Sequence, residues 1–310
     1  MEISSKFQEN KLPVYQEIIV EIPEDQIEKL NDYLENFIID NLIGYYEILY
    51  EEKENPKSTK NKKIIFYFPY EDNQARWEIE SILLSLDILD YFIDDHYVEL
   101  KNYWEEYKDS FKPFMISKNF FLIPIWHKNN VILREDLIPI YIEPGMAFGT
   151  GLHPSTQLMI QWIDENDLKD KIILDAGCGS GILSIATLKK GAKLVYAFDI
   201  DINAIDLTKR NLAYNNLEDK INKEIFLYQG SWDDSRINNN YDVILANLTL
   251  PVFLKYQNQI KKICTKTIVF SGINIEQIND LELLFNDIFY KNNIIEKDGW
   301  ALLEMKSKMF

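Results

Sequence analysis

From residue 113 onward, strand-length apolar runs alternate with helix-length segments, which predicts an α/β chain whose main sheet is doubly wound and mostly parallel. Two observations carry this. Strands are expected at 171–176, 193–199, 224–229, 241–246 and 266–272, with a closing pair at 292–296 and 300–306. The first of these runs into a glycine-rich turn, Asp175-Ala-Gly-Cys-Gly-Ser-Gly181, and then into a helical segment. The first hundred residues instead read in the order βαββαβ, which predicts a separate small α+β sandwich of the ferredoxin-like kind.

Along the chain, Val14 to Ile22 alternates as a strand does, and Pro23-Glu-Asp25 opens a helix where proline and acids are tolerated. Ile27, Leu30, Leu34, Phe37 and Ile38 share one face of that helix. Tyr45 to Glu51 and Lys63 to Phe68 flank a Lys-, Asn- and Pro-bearing turn and read as a hairpin. A second helix carries Ala75, Ile79, Ile82, Leu83 and Leu86 on one face, and a strand around Tyr91 to Lys101 closes the unit. Residues 102–112 read as a connector in which Trp104, Tyr107 and Phe111 pack between domains, and a hairpin follows around Met115 to Trp126. The expected division is therefore 1–101, a linker at 102–112, and 113–310.

Composition bounds the function. With 310 residues and 46% apolar content, two packed cores are within reach. No run approaches the eighteen apolar residues of a membrane helix, and Met1-Glu-Ile-Ser-Ser-Lys6 lacks the layout of a signal peptide, so a cytoplasmic protein is expected, with no membrane partner. Two cysteines give no disulfide framework, which suits a reducing compartment, and the three histidines lie too far apart to suggest a metal site.

Net charge is −17, and it is unevenly placed: residues 1–112 hold 26 acids against 12 bases, a net of −14, while residues 113–310 hold 24 against 21, a net of −3. An acidic front domain repels nucleic-acid phosphates and speeds encounter with a basic protein, so direct nucleic-acid binding is not expected. The plainer reading of the same charge is a surface that keeps the protein dispersed.

Glycines at 177, 179 and 181 let the backbone turn sharply and approach a ligand that a Cβ would push away. The third glycine comes too early for the G-x-G-x-x-G spacing that seats a dinucleotide pyrophosphate, and Asp175 ahead of the turn suits a ligand bearing an amine. About twenty residues on, the run Leu194 to Phe198 ends in Asp199-Ile-Asp201, a carboxylate at a strand end that can grip two ribose hydroxyls. D-x-G-x-G-x-G with a strand-end acid is the signature of S-adenosylmethionine binding in Rossmann-like methyltransferases.

The chain resembles the ribosomal protein L11 methyltransferase family through Glu143-Pro-Gly-Met-Ala-Phe-Gly-Thr-Gly-Leu-His-Pro-Ser-Thr156, Asp175 to Ala186, Phe198-Asp-Ile-Asp201, Asn211-Leu-Ala-Tyr-Asn215, Ala246-Asn-Leu248 and Ser271-Gly-Ile273. Trp104 to Pro113 with Trp126 resembles the family's connector and the entry to its catalytic domain. The match departs at Glu143, usually Asp, and at Thr249-Leu-Pro251, where small residues are more usual.

The resemblance implies a class I methyltransferase fold, a monomer, and multiple methylation of the N-terminal amine and lysines of ribosomal protein L11. It also implies that Thr156, Gly177, Asp199 and Asn247 contact S-adenosylmethionine, with Thr156 on the amino-acid end, and that Phe148, Thr150 and Gly151 cover the methionine moiety. Gly179 belongs to the same turn. Asn247, ending the strand Asp242 to Ala246, is the expected catalytic residue, since an amide oxygen accepts from an amine without adding charge that would hold it protonated. Asn at a strand end also serves as a turn former. His153 reads as loop structure or as a substrate contact, and Tyr228-Gln-Gly-Ser-Trp232 as an adenine border or a surface turn. Two other functions compete: a protein-lysine methyltransferase for another basic protein, and a non-catalytic, cofactor-binding ribosome-assembly module.

Overall fold

The computed structural model describes residues 14–36, 44–48, 61–69, 74–99, 111–143, 151–237, 240–263 and 265–309. The chain divides into two compact units, Met1–Ser110 and Phe111–Phe310.

In the first unit, β1 (Val14–Pro23), α1 (Ile27–Asn36), β2 (Gly44–Ile48), β3 (Asn61–Pro69), α2 (Ala75–Ser85) and β4 (Phe92–Glu99) follow one another. The sheet is antiparallel with order β2-β3-β1-β4, the ferredoxin-like arrangement. Period-two alternation builds its core. Ile18, Val20 and Ile22 point to the same face as Ile64, Phe66 and Phe68, and the register sets Ile18 opposite Phe66 and Val20 opposite Ile64. Leu30 of α1 and Ile79 and Leu83 of α2 close that face. On the other face Glu17 meets His96 at 2.8 Å and accepts from the Tyr67 hydroxyl at 2.7 Å. Arg76 ties α2 to β4 through Asp95. The proline and acids at 23–25 open a single 3₁₀ turn, Glu24–Gln26, that runs into α1, and Leu86 caps α2 rather than extending it. Phe37, Ile38, Glu51, Lys101, Trp104 and Tyr107 lie outside the described residues.

The second unit begins with the expected hairpin, β5 (Phe114–Met115) and β6 (Phe120–Pro124), and then adds a strand that the sequence pattern does not predict, β7 (Ile138–Ile142), parallel to β6. The proline at 139 hides it, since proline inside an apolar run argues against a strand; on this outer strand its missing N–H costs no ladder bond. Phe111 packs its ring 6.2 Å from Trp126 within this unit.

Asp164 holds the hairpin to the helix α3 (Pro154–Glu165). Its carboxylate accepts from the Ser117 hydroxyl at 2.8 Å, the Asn119 N–H at 2.9 Å and the Asn119 amide at 3.0 Å. Burial pushes the Asp164 carboxyl up, but these donors and Lys190 outweigh it, leaving it below the usual carboxylate range. Asp164→Ala leaves three part-buried donors without their charged acceptor and is expected to cost about 3 kcal/mol. Denaturant unfolding checks this, and a stability unchanged within about 0.5 kcal/mol would refute the clip.

Seven strands form the main sheet: β8 (Ile172–Ala176), β9 (Leu194–Asp199), β10 (Ile225–Gln229), β11 (Tyr241–Asn247), β12 (Thr265–Asn274), β13 (Phe289–Lys297) and β14 (Trp300–Ser307). Their order is β10-β9-β8-β11-β12-β14-β13. Pairing is parallel from β10 to β12, and β14 inserts antiparallel between β12 and β13. The intervening helices are α4 (Ile182–Lys189), α5 (Ile202–Tyr214), α6 (Leu250–Ile260) and α7 (Ile278–Phe285). Ile182 to Leu188 is buried throughout, which is why α4 is apolar on every side. Helix α5 starts where the Asp201 carboxylate accepts from the Asn203 N–H. The chain lays down β8, β9 and β10 in one direction and then crosses to β11 on the other side of β8. This reversal opens a crevice at the carboxyl ends of β8 and β11, where doubly wound sheets bind ligands. No described helix is long and apolar enough to cross a membrane.

Candidate active site

Three neighbouring parallel strands deliver the expected residues to one edge. Register pairs Ala176 of β8 with Phe198 of β9 and with Ala246 of β11, so Asp175, the glycine turn, Asp199 and Asn247 all stand at strand ends around the crevice. The turn is built from left-handed glycines, with φ of +72° at Gly177, +52° at Gly179 and +78° at Gly181. Gly177 and Cys178 donate to the Phe198 carbonyl, both at 2.9 Å, and Gly179 donates to Asp199 Oδ2 at 2.9 Å. The other Asp199 oxygen accepts from the Asp201 N–H at 3.0 Å. Each carboxylate oxygen keeps a lone pair for a further donor such as a hydroxyl.

Gly177 answers first to the protein itself. A Cβ there would stand 2.6 Å from Leu248 Cδ2, so the glycine turn and the Asn247-Leu248 segment pack directly on each other. Gly272 on β12 plays the same part from beneath, where a Cβ would stand 2.7 Å from the Leu248 carbonyl oxygen. The Leu248 N–H donates to the Ser271 carbonyl at 3.0 Å. The segment after β11 is therefore held by backbone contact on two sides.

Asn247 and Thr156, far apart in sequence, meet here. The Asn247 amide donates to Thr156 Oγ1 at 3.3 Å, which turns Asn247 Oδ1 away; that oxygen is buried and has no hydrogen-bond partner among the described residues. Thr156 sits in the first turn of α3, opened by Pro154 and capped by His153, whose Nδ1 accepts from the Ser155 N–H. The His153 ring stands edge-on to Trp300 at 4.3 Å, and burial pushes its pKa down to about 4. His153 is thus a neutral capping residue on the rim of the site.

Asp175 is fully buried beneath the turn. Ser184 Oγ donates to its Oδ2 at 2.6 Å, while Oδ1 has no partner among the described residues. Burial pushes its carboxyl up to about 6, with Asp199 adding to the rise and the Ser184 hydrogen bonds opposing it. Since the folded value exceeds the ordinary 3.8, the ligand-free protein loses stability as pH rises from about 4 through 6, and above that carries a penalty on the order of 3 kcal/mol. Asp175→Asn is therefore expected to raise the ligand-free melting temperature at pH 8, the gain shrinking as pH falls toward 5. A gain independent of pH would show that the buried charge is not its source.

Two buried acceptors without donors among the described residues, Asn247 Oδ1 and Asp175 Oδ1, stand at the carboxyl ends of adjacent strands. Buried acceptors are ordinarily satisfied, so this edge can take ligands that bring N–H groups. An amino-acid nucleoside meets this requirement: Asp175 suits an ammonium, Asp199 a ribose, and the glycine turn a closely laid chain. Asn247 Oδ1 suits a second, neutral amine. Cys178, inside the turn, is buried, and burial pushes its thiol well up, so it offers no thiolate. Among the described residues no group of acidic, histidine or cysteine side chains is placed to hold a metal.

Phe148 and Thr150 lie outside the described residues. Gly151 is described, with φ of +86° and a Cβ position 2.4 Å from Leu122 Cδ1, so it packs tightly on β6. Within 228–232, Tyr228 and Trp232 are buried, with rings 5.9 and 5.4 Å from Phe198, while Gln229 between them is exposed. Sequence reasoning misses Ser184, which reaches Asp175, and Thr208 and Asn211, which hold the glycine turn from α5. The available signals are the Asp175 to Ala186 and Asn211 to Asn215 motifs, and no local pattern reveals what Ser184 or Asn211 does within them.

The family model described as ribosomal protein L11 methyltransferase (PrmA) matches residues 14–308. Among curated proteins, the chain is 33% identical over 306 residues to a "Ribosomal protein L11 methyltransferase" of Leptospira interrogans (serovar copenhageni), covering 95% of this chain and 99% of that one. A protein of the same description from Glaesserella parasuis is 30% identical over 290 residues, covering 89% and 93%. Among solved structures, a ribosomal protein L11 methylase from Lactobacillus delbrueckii subsp. bulgaricus aligns with a TM-score of 0.57 at 27% identity, covering 64% of this chain and all of that one.

Proposed function

The chain belongs to the ribosomal protein L11 methyltransferase family, and from that premise we propose that it methylates, up to trimethylation, the N-terminal amine and lysine side chains of ribosomal protein L11, with S-adenosylmethionine as donor. The observation that carries this reading is Asn247 Oδ1, buried and without a hydrogen-bond partner among the described residues, on an amide whose Nδ2 donates to Thr156 Oγ1.

When bound, S-adenosylmethionine supplies a methyl group made electrophilic by its sulfonium. The residues of this chain position and desolvate. Asp175 Oδ1 would take the ammonium of the amino-acid end with Thr156 near it and Asp199 the ribose hydroxyls, and the family motif alone sets the turn at Gly177 and Gly179 against the cofactor. We place Phe148 and Thr150 over the same end on the strength of the family motif alone.

A substrate amine arrives protonated, with a lysine pKa of about 10.4 in water. An apolar, part-buried site lowers that value by desolvation, and a cationic neighbour lowers it further. Asn247 Oδ1 then accepts an N–H of the neutral amine and aims its lone pair, without the negative charge that would hold the proton on. Residues 1–101 serve as the substrate-recognition domain, 102–112 as the linker and 113–310 as the methyltransferase domain. The −14 net charge of residues 1–112 supports a basic protein as the client.

The test is intact-mass and peptide mass spectrometry of recombinant L11 from the same source after incubation with this protein and S-adenosylmethionine. Mass added in methyl steps at the N-terminus and at lysines is expected. Unmodified L11 beside another methylated basic protein in the same lysate would replace the client and keep the chemistry, whereas no methyl transfer to any protein would overturn the enzyme reading.

A further inference from the structure

We propose that Thr208 and Asn211 are positioning residues of the cofactor site, which from one face of α5 grip two consecutive carbonyls of the glycine turn and thereby set the shape the cofactor meets. The proposal rests on the reading of that turn as the S-adenosylmethionine site.

One internal hydrogen bond, from the Gly181 N–H to the Cys178 carbonyl at 2.7 Å, closes the turn, and β9 holds its first N–H groups. Three of its positions are left-handed glycines with no side chain to pack, so the placement of its remaining carbonyls depends on what grips them from outside. Thr208 Oγ1 donates to the Gly179 carbonyl at 2.9 Å, and Asn211 Nδ2 donates to the Ser180 carbonyl at 2.9 Å. The two residues are three apart on a helix and so share a face, and both are fully buried. The Thr208 methyl also occupies the space beside Gly181, where a Cβ would stand 2.6 Å from it.

Asn211 does a second thing. Its Oδ1 accepts from the Glu143 N–H at 2.7 Å, at the end of β7. One helical turn later, Asn215 Oδ1 accepts from the Tyr141 N–H at 3.0 Å, and its amide donates to the Tyr141 carbonyl at 2.6 Å. A helix rises about 6 Å in four residues and a strand advances about 6.6 Å in two, so asparagines at i and i+4 match alternate residues of a strand. The pair therefore acts as a neighbouring strand for β7. Apolar side chains would pack α5 against β7 equally well; amides with donor and acceptor both engaged impose one register. Only Asn211 extends that register to the glycine turn, while Asn215 touches the strand and its own helix.

This difference supplies a matched control. Asn211→Asp and Asn215→Asp each keep the acceptor for a strand N–H and remove the amide donor to a carbonyl, while Thr208→Val removes a hydroxyl at nearly constant shape. The full-length protein and these three variants would be titrated calorimetrically with S-adenosylhomocysteine, and the melting temperature of each recorded. Thr208→Val and Asn211→Asp are expected to weaken binding about tenfold or more, and Asn215→Asp to leave it within about twofold even where its melting temperature falls as far as that of Asn211→Asp. Affinity unchanged in Thr208→Val, or affinity that simply tracks melting temperature across the three, would overturn the proposal. If Asn211→Asp fails to fold, Thr208→Val decides alone. Wild-type protein that does not bind S-adenosylhomocysteine would instead overturn the cofactor reading.

Discussion

Asn247→Ala is expected to cut kcat for methyl transfer to L11 by on the order of 10²–10³-fold, about 3–4 kcal/mol of barrier, while weakening cofactor binding only several-fold. The split follows from geometry. Nδ2 of Asn247 reaches Thr156, whereas Oδ1 is buried with no partner among the described residues and is the acceptor proposed for the amine, so the lost oxygen matters to the amine more than to the bound cofactor. An unaimed amine still finds the methyl group, but without a fixed approach, and misplacement on this scale costs about two orders of magnitude.

Asn247→Asp separates aiming from charge. It keeps an acceptor in place and adds a negative charge that stabilises the protonated amine, so activity is expected to fall at neutral pH and to recover as pH rises. Single-turnover rates between pH 7 and 9.5, with cofactor binding measured beside them, decide the matter. Wild-type kcat in Asn247→Ala would remove Asn247 from the reaction, and a fall confined to cofactor affinity would make it a binding residue only.

Gly272→Ala is expected to be the most damaging of the small substitutions, although Gly272 lies on β12 and carries no functional group. A Cβ there would stand 2.7, 2.9 and 3.0 Å from the backbone O, C and N of Leu248, and no flexible side chain can yield. The residue also holds φ of +79°, beside a register irregularity between β12 and β14. Left-handed backbone costs a residue with a Cβ roughly 1–2 kcal/mol, and overpacking adds about 1–3 kcal/mol. Together they predict a loss of about 3–4 kcal/mol and a melting temperature lower by roughly 10 °C.

Strain that the fold relieves by pushing Leu248 outward moves Asn247 with it, so kcat should fall even in whatever fraction remains folded. Gly177→Ala provides the contrast: its Cβ would meet only the far end of the Leu248 side chain, so its stability loss should be smaller. Thermal unfolding of both variants, with activity per folded molecule, tests the ranking. Equal melting temperatures for Gly272→Ala and wild type would sink it.

Much of the site is legible in the amino-acid sequence because its signals are local. Asp175 to Gly181 reads as strand, turn and helix start through glycines whose positive φ is a property of three closely spaced positions. Asp199 follows from where an apolar run stops, and the ferredoxin-like order of the first unit from the succession of periods. Other features are not legible in this way. Pro139 hides strand β7, and no local pattern shows that Tyr228 and Trp232 bury their rings against Phe198.

By itself, then, the sequence determined the two fold classes, the glycine turn, the strand-end acids and the candidate Asn247, all written in patterns a few residues long. Only the tertiary structure decided that Asn247 meets Thr156 across 91 positions, that Leu248 fills the space over Gly177 and Gly272, and that Thr208 and Asn211 hold the turn. The reason is physical. Backbone conformation and periodicity answer to near neighbours, whereas a buried donor or acceptor takes its partner from whatever chain the sheet order brings beside it, and that order is set by the whole fold.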